Sequence, residues 1–314
     1  MWENGCDIYY DVKRTHIPPG ISQRAKLRLF NFIVNMALRL GILTEKLGIS
    51  HRYTIWRAVF KGIPPKKTSK LIIKDLVFDN VPNAEEYGVD PNRIAIGGDS
   101  SGGTFATAIC QHLVTRKDLP KLRAQILLYP FLQGVDFSLP SYQQNHSVPV
   151  LFRKRLLKHG SVYLTGTYFN TEDIWKSAHV PEERRAKYSQ WISAKHIPDK
   201  FKTRGYVPVA PAPFSTESYK KAKHIFETMF SPLLAEDDII QQLPDTFILT
   251  CEYDVVRDDG LLYKKRLEDH GIPVTWYHVV DGFHGIVCLV DYGPLEFPGT
   301  RSSLRHVVHF LKRV

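Results

Sequence analysis

From Ile94 to Gly103 the chain reads Ile-Ala-Ile-Gly-Gly-Asp-Ser-Ser-Gly-Gly, an apolar run that ends on a glycine-bracketed serine. No other segment limits the fold as tightly. The run before the serine has strand character, and beyond it Phe105, Ala108, Ile109 and Leu113 recur at helical spacing. A strand that turns straight into a helix leaves little room beside the turning residue, so its neighbours must lack Cβ atoms. Gly98 and Gly102 are expected to supply that clearance, and Gly103 to let the helix pack closely. The Gly-x-Ser-x-Gly frame selects Ser100 as the exposed nucleophile, and Ser101 is expected to offer its backbone N–H to an oxyanion.

Further strands are expected at 71–78, 124–129 (halted by Pro130), 246–250 and 274–280. A helix at about 258–270 is stopped by Gly271 and Pro273. A closing helix is expected to be capped by Ser302 or Ser303, with Leu304, Val307, Val308 and Leu311 on one face. Strands alternating with helices predict an α/β fold, a mostly parallel sheet with helices on both faces. Residues 135–245 hold many aromatics and prolines (Pro208, Pro211, Pro213) without strand periodicity, and are read as a helical cap. The expected organisation is an N-terminal helical and cap region (1–70), a first core part with the serine turn (71–134), the cap (135–245) and a second core part (246–314).

A serine hydroxyl needs a base, and the base needs an orienting carboxylate. Of the 13 histidines, His284 alone follows the last strand on a glycine-flanked loop, Gly282-Phe283-His284-Gly285. Asp254 follows the strand at 246–250, at the C-terminal edge where the active groups of open α/β sheets gather. Asp258, the rival acid, is expected to cap the next helix.

A hydrophobic share of 43% with 24% charged residues suits a folded globular chain and argues against wholesale disorder. The net charge of +10 fits either a solvated surface or attraction to an anionic membrane face; nucleic acid is disfavoured because no recognition motif accompanies it. The stretch 22–47 forms a basic amphipathic helix, suited to lie on a bilayer or to cover a pocket. Its longest uncharged run, 29–38, falls short of a span of about 20 apolar residues, so no transmembrane helix is expected. The opening residues, which lack a basic start and an apolar centre, are not expected to act as a signal peptide. Cys6, Cys110, Cys251 and Cys288 show no metal-ligand spacing, and Cys110 and Cys251 are expected as buried free thiols. Asn145-His146-Ser147 is an acceptor sequon, which makes Asn145 a candidate for glycosylation on a secretory route.

Gly-Asp-Ser-Ser-Gly-Gly (98–103), Tyr-Asp-Val-Val-Arg-Asp-Asp-Gly (253–260) and Asp-Gly-Phe-His-Gly (281–285) together resemble the hormone-sensitive-lipase branch of the α/β hydrolases. Within it the likeness is to the arylacetamide deacetylase-like proteins, and it runs almost continuously from Asn83 to the C-terminus and over 27–81. The resemblance implies an α/β-hydrolase fold, a catalytic Ser100, His284 and Asp254, and hydrolysis of carboxylic esters or arylamide acetyl groups through an acyl-enzyme. It also implies a place in lipid metabolism, no metal or organic cofactor, and an anchor in the endoplasmic reticulum membrane with the catalytic part in the lumen. The family's apolar anchor is not visible at the start of this chain.

A second departure bears on chemistry. The family's His-Gly-Gly-Gly loop, which supplies the other oxyanion donors, is absent, and Asp79-Asn80-Val81-Pro82 runs directly into Asn83-Ala84-Glu85-Glu86. Relative to the hydrolase plan this is an internal deletion of about eighty residues. The strand before the serine is then expected to lose its neighbour and leave the sheet incomplete, with an open apolar edge. Two functions follow: an esterase or deacetylase, or a catalytically impaired or non-catalytic relative that keeps an acyl pocket. A peptidase on the same fold is a distant third.

Overall fold

A computed structural model describes residues 15–51, 54–55, 90–167 and 169–314. The strand expected at 71–78, the seam at Pro82-Asn83 and Cys6 lie outside the described residues.

The first described helix, α1 (Arg24–Lys46), leads to strand β1 (Ala95–Asp99), helix α2 (Ser101–Val114) and strand β2 (Ala124–Leu128). The chain continues through α3 (Pro140–Gln144) and α4 (Arg153–Thr165), then short helical turns, before β3 (Asp245–Tyr253), α5 (Arg257–Asp269), β4 (Val274–Phe283) and α6 (Pro298–Leu311). All four strands are parallel, in the order β1-β2-β3-β4, with Gly98 beside Leu127, Leu127 beside Ile248 and Ile248 beside Trp276. The chain therefore has the α/β-hydrolase-type layering that the alternation of elements predicts.

Period-two alternation builds two cores. On β3, Phe247, Leu249 and Cys251 face one of them with Phe310 of α6 and with Leu27, Phe30 and Val34 of α1. Ile248 points the other way, to Ala106 and Cys110 of α2, Leu261 and Leu267 of α5, and the cap. Among the described residues of the cap segment, no strand appears before Asp245, where β3 begins, and the segment adds Phe137, Tyr142, Trp191 and Phe226 to this second core. Asp259 of α5 fastens the cap: its carboxylate accepts from Leu132 N (2.9 Å), Tyr142 Oη (3.0 Å) and Gln133 Nε2 (3.3 Å). Burial pushes that carboxyl up to about 7. Cys110 and Cys251 are buried and free, and burial raises both thiols.

β1 ends the sheet among the described residues, with Ala95, Gly97 and Asp99 exposed. The apolar row expected to bury α2 behaves differently from the sequence reading. Ala108 is buried, but Phe105 and Ile109 are 42% and 38% exposed, and the packed side uses Ala106, Thr107 and Cys110 as well. Small residues let α2 lie close on β1 and β2. Of its large apolar residues, Phe105 turns toward Tyr163, with ring centres 6.3 Å apart.

The closing helix corrects a second expectation. It starts at Pro298, a proline at the first helical position, so Ser302 and Ser303 lie inside it rather than capping it. Ser303 Oγ bonds back to Gly299 O at 2.7 Å. Phe310 is buried and Leu304 and Val307 pack against the core, whereas Val308 and Leu311 turn outward.

α1 is apolar on two sides. Leu27, Phe30, Val34 and Ala37 are buried, while Leu29, Phe32, Met36, Leu40 and Leu43 form an exposed stripe at three- and four-residue spacing. By length and composition this 23-residue helix suffices to cross a membrane, a result the uncharged-run count missed because Arg39 ends the run. Yet 39% of its apolar window is buried inside the structure.

Candidate active site

The turn after β1 is held by backbone geometry that few residues adopt. Ser100 has φ 54° and ψ −122°, outside the regions open to ordinary side chains. Its N–H is tied to Leu128 O at 2.9 Å. A Cβ on Gly98 would lie 2.1 Å from Gly102 O, so only glycine fits there. A Cβ on Gly103 would meet Pro130 Cβ at 2.8 Å, which explains the close approach of α2 to the end of β2. Gly102 is a correction, because a Cβ there would meet nothing nearer than Asp99 Oδ1 at 3.8 Å. Of the two glycines of the Gly-x-Ser-x-Gly frame, only Gly98 is demanded by clearance.

Three side chains from three strand ends meet at this turn. Ser100 Oγ lies 2.8 Å from His284 Nε2, and His284 Nδ1 lies 2.8 Å from Asp254 Oδ2. A carboxylate can only accept, so Nδ1 carries the proton and Nε2 is left to accept the serine hydroxyl. Asp254 is fully buried and its other oxygen accepts from Val256 N at 3.0 Å. His284 is 7% exposed, on a loop turned by Gly285 in the left-handed region (φ 78°). Ser101 opens α2, where first-turn N–H groups have no partner within the helix.

Asp258 does not cap α5. It is fully buried one residue inside the helix, where Oδ2 accepts from Ser141 N at 2.6 Å and Oδ1 from Arg257 Nε at 2.9 Å. Asn145 departs from its sequon reading as well. It is fully buried, and Nδ2, the atom a glycan would occupy, donates to Asp254 O (2.8 Å) and Glu252 O (3.1 Å). In this fold Asn145 is not presented for glycosylation.

Sequence reasoning passed over Tyr129, at the end of β2. It is 1% exposed, has φ 37°, and its ring centre stands 5.1 Å from that of His284. Its hydroxyl is 3.7 Å from Cys288 Sγ, which lies 3.4 Å from Asp99 Oδ2. Cys288 is exposed, and partial desolvation, reinforced by Asp99, raises its thiol beside the serine turn. A left-handed aromatic was the available sign, but backbone angles are not written in residue order.

Ser100 and Ser101 open onto a cavity of about 440 Å³ walled by Phe105, Phe131, Phe137, Leu156, Phe169 and Phe230. Its wall carries the titratable side chains His159 and Tyr163; His159 stands exposed at the cavity's edge, where partial desolvation and then Arg155 lower its imidazole. The site pairs a base-linked hydroxyl with an apolar chamber of a size for a small organic group.

The sequence pattern described as alpha/beta hydrolase fold matches residues 70–187 and 193–288. The chain is 46% identical to human arylacetamide deacetylase-like 4 over 384 aligned positions, covering 98% of this chain and 94% of the relative. Since 384 exceeds the 314 residues here by 70, at least 70 of those positions find no residue in this chain. Mouse arylacetamide deacetylase-like 3 is 32% identical, with 95% and 92% covered. Rat arylacetamide deacetylase is 40% identical over 65% of this chain and 52% of the relative. Among solved structures, an esterase from the fungus Rhizomucor miehei aligns with TM-score 0.49 and 20% identity. That alignment covers 74% of this chain, which spans 55% of the esterase's length.

Proposed function

The chain belongs to the α/β hydrolases of the arylacetamide deacetylase-like group, and from that premise we propose that it hydrolyses small acyl esters or arylamide acetyl groups through an acyl-enzyme on Ser100. The family makes it a serine hydrolase of the carboxylic ester class; the residue roles rest on the relay of two 2.8 Å contacts. In this reading His284 Nε2 takes the Ser100 proton as Oγ attacks the acyl carbon. Asp254 holds the imidazole in the required tautomer and stabilises the imidazolium. The tetrahedral intermediate collapses, His284 returns the proton to the leaving alcohol or amine, and the ester to Ser100 remains. A water activated by His284 then releases the acid and restores the hydroxyl. The backbone N–H of Ser101 faces the developing oxyanion, and the apolar cavity takes the acyl or aryl group.

A second reading has its own observation. The chain lacks His-Gly-Gly-Gly, at least 70 positions of a relative have no counterpart, and β1 ends the described sheet. A relay without its full oxyanion site binds acyl groups and reacts slowly. In both readings the family supports placement on the luminal side of the endoplasmic reticulum membrane and a part in lipid metabolism. The membrane-facing element proposed is α1, whose exposed stripe is flanked by Arg24, Arg28, Arg39 and Lys46 with Glu45 the sole acid.

Mixing the chain with p-nitrophenyl acetate and quenching in acid tests the reading. An acetyl group on the peptide containing Ser100 is expected, absent in Ser100→Ala. An acetyl group on another residue, equally present in that variant, would overturn the assignment.

A further inference from the structure

We infer that Asn145 and Arg204, both in the cap segment, are positioning residues that hold the backbone carrying Asp254. The inference rests on the proposed role of Asp254. β2 pairs with β3 only as far as Leu128 beside Leu249. Past that point the β2 side of β3 has no strand, and β3 and β4 slip in register between Cys251 and Tyr253. The carbonyls of Glu252 and Asp254 therefore emerge at the chemical end of the sheet without a regular ladder partner on that side. Buried carbonyls need donors from somewhere. Arg257 supplies one donor to each, its N–H to Asp254 O (3.2 Å) and Nη1 to Glu252 O (3.4 Å). Asn145 adds the shorter contact to both, Nδ2 reaching Asp254 O at 2.8 Å and Glu252 O at 3.1 Å, one residue to each side of Tyr253.

The other end of the same amide is also held. Asn145 Oδ1 accepts from Arg204 Nη1 and Nη2, each at 3.1 Å. Arg204 simultaneously donates to Glu252 Oε1 from Nη2 (2.9 Å) and Nε (3.1 Å), and to Glu252 O at 3.0 Å. Its guanidinium lies 4.7 Å over the Tyr253 ring. A planar cation with five donors suits this fork, and lysine reproduces only part of it. The charge polarises the amide and strengthens its donation to the two carbonyls. Asn145 follows α3 and Arg204 follows the turn at Asp199–Phe201, so the acid is registered against the cap as well as the core sheet. A small displacement of the Asp254 backbone breaks its 2.8 Å contact with His284, and misplacements on the order of 1 Å cost about 100-fold in rate.

The test uses the full chain and two readouts. The first is the proton resonance of His284 Nδ1–H, which reports on the imidazole–carboxylate contact whether or not turnover occurs. It is expected to be present in the wild type, shifted or lost in Asn145→Ala and Arg204→Met, and partly kept in Arg204→Lys. The second is p-nitrophenyl acetate kinetics, with kcat down about 10- to 100-fold in Asn145→Ala and KM unchanged. Should Asn145→Ala fail to fold, the two Arg204 variants carry the comparison. An unchanged resonance in the folded variants overturns the inference. So does equal loss in Arg204→Lys and Arg204→Met with melting temperatures lowered in step, which marks a purely structural role. Absence of acetyl transfer to Ser100 in the wild type counts against the hydrolase reading instead, and the resonance still decides the positioning claim.

Discussion

Inserting the segment that bears His-Gly-Gly-Gly between Pro82 and Asn83 raises p-nitrophenyl ester turnover per mole of soluble monomer by at least about 100-fold. The expectation comes from charge, not from the relay. Ser100, His284 and Asp254 are already in contact, so the block adds nothing to proton transfer. It adds backbone N–H groups at the tetrahedral oxygen, where each lost donor costs about 100- to 1000-fold in rate. The same insertion is expected to increase the soluble fraction, because a strand beside β1 would cover an edge that is open among the described residues. Comparing hydrolysis and sedimentation of the two forms reads both effects. Equal turnover in both, abolished in both by Ser100→Ala, would mean that another element already holds the oxyanion.

In the restored form, Asp254→Asn lowers kcat by about 10,000-fold with little change in KM. The amide occupies the same fully buried volume and can still accept from Val256 N. It can also present an N–H to His284 Nδ1 and so invert the tautomer, which directs the Nε2 proton toward the serine hydroxyl that should be deprotonated. Steady-state kinetics on the variant checks this. A loss below about tenfold, or one confined to KM, would leave orientation of the imidazole to another group.

Much of the fold was legible because it is written in local periodicity. The four described strands and the helices α1, α2 and α5 lie where apolar spacing and Gly/Pro stops put them. β3 and β4 run three residues further than their apolar cores suggest, since Glu252, Tyr253 and Asp281 to Phe283 continue the ladder with polar or irregular positions. The start of α6 was lost to two serines that resemble caps, while the proline at its first position was the better sign. Spacing identified the stripe on α2 but not what faces it, and among the described residues Phe105 and Ile109 of that stripe are partly in solvent.

The order serine, acid, histidine picked out side chains that meet in space because parallel strands deliver their C-terminal ends to one edge of the sheet. What surrounds them was not legible. Asn145 and Arg204 lie 109 and 48 residues from the carbonyls they hold at Asp254 and Glu252, and no local pattern encodes such a contact. Asn145 was misread for the same reason, since a tripeptide says nothing about burial. Asp258 resembled a cap because acids favour helix starts, but the cap segment claims it instead through Ser141.

The most direct measurement is labelling of the chain as it stands with a fluorophosphonate probe, followed by identification of the modified residue. Phosphonylation at Ser100, absent from Ser100→Ala and strongly slowed in His284→Ala, is the predicted result. A folded monomer that takes up no probe, or takes it up on a residue other than Ser100, would contradict the claim that Ser100, His284 and Asp254 form a working relay.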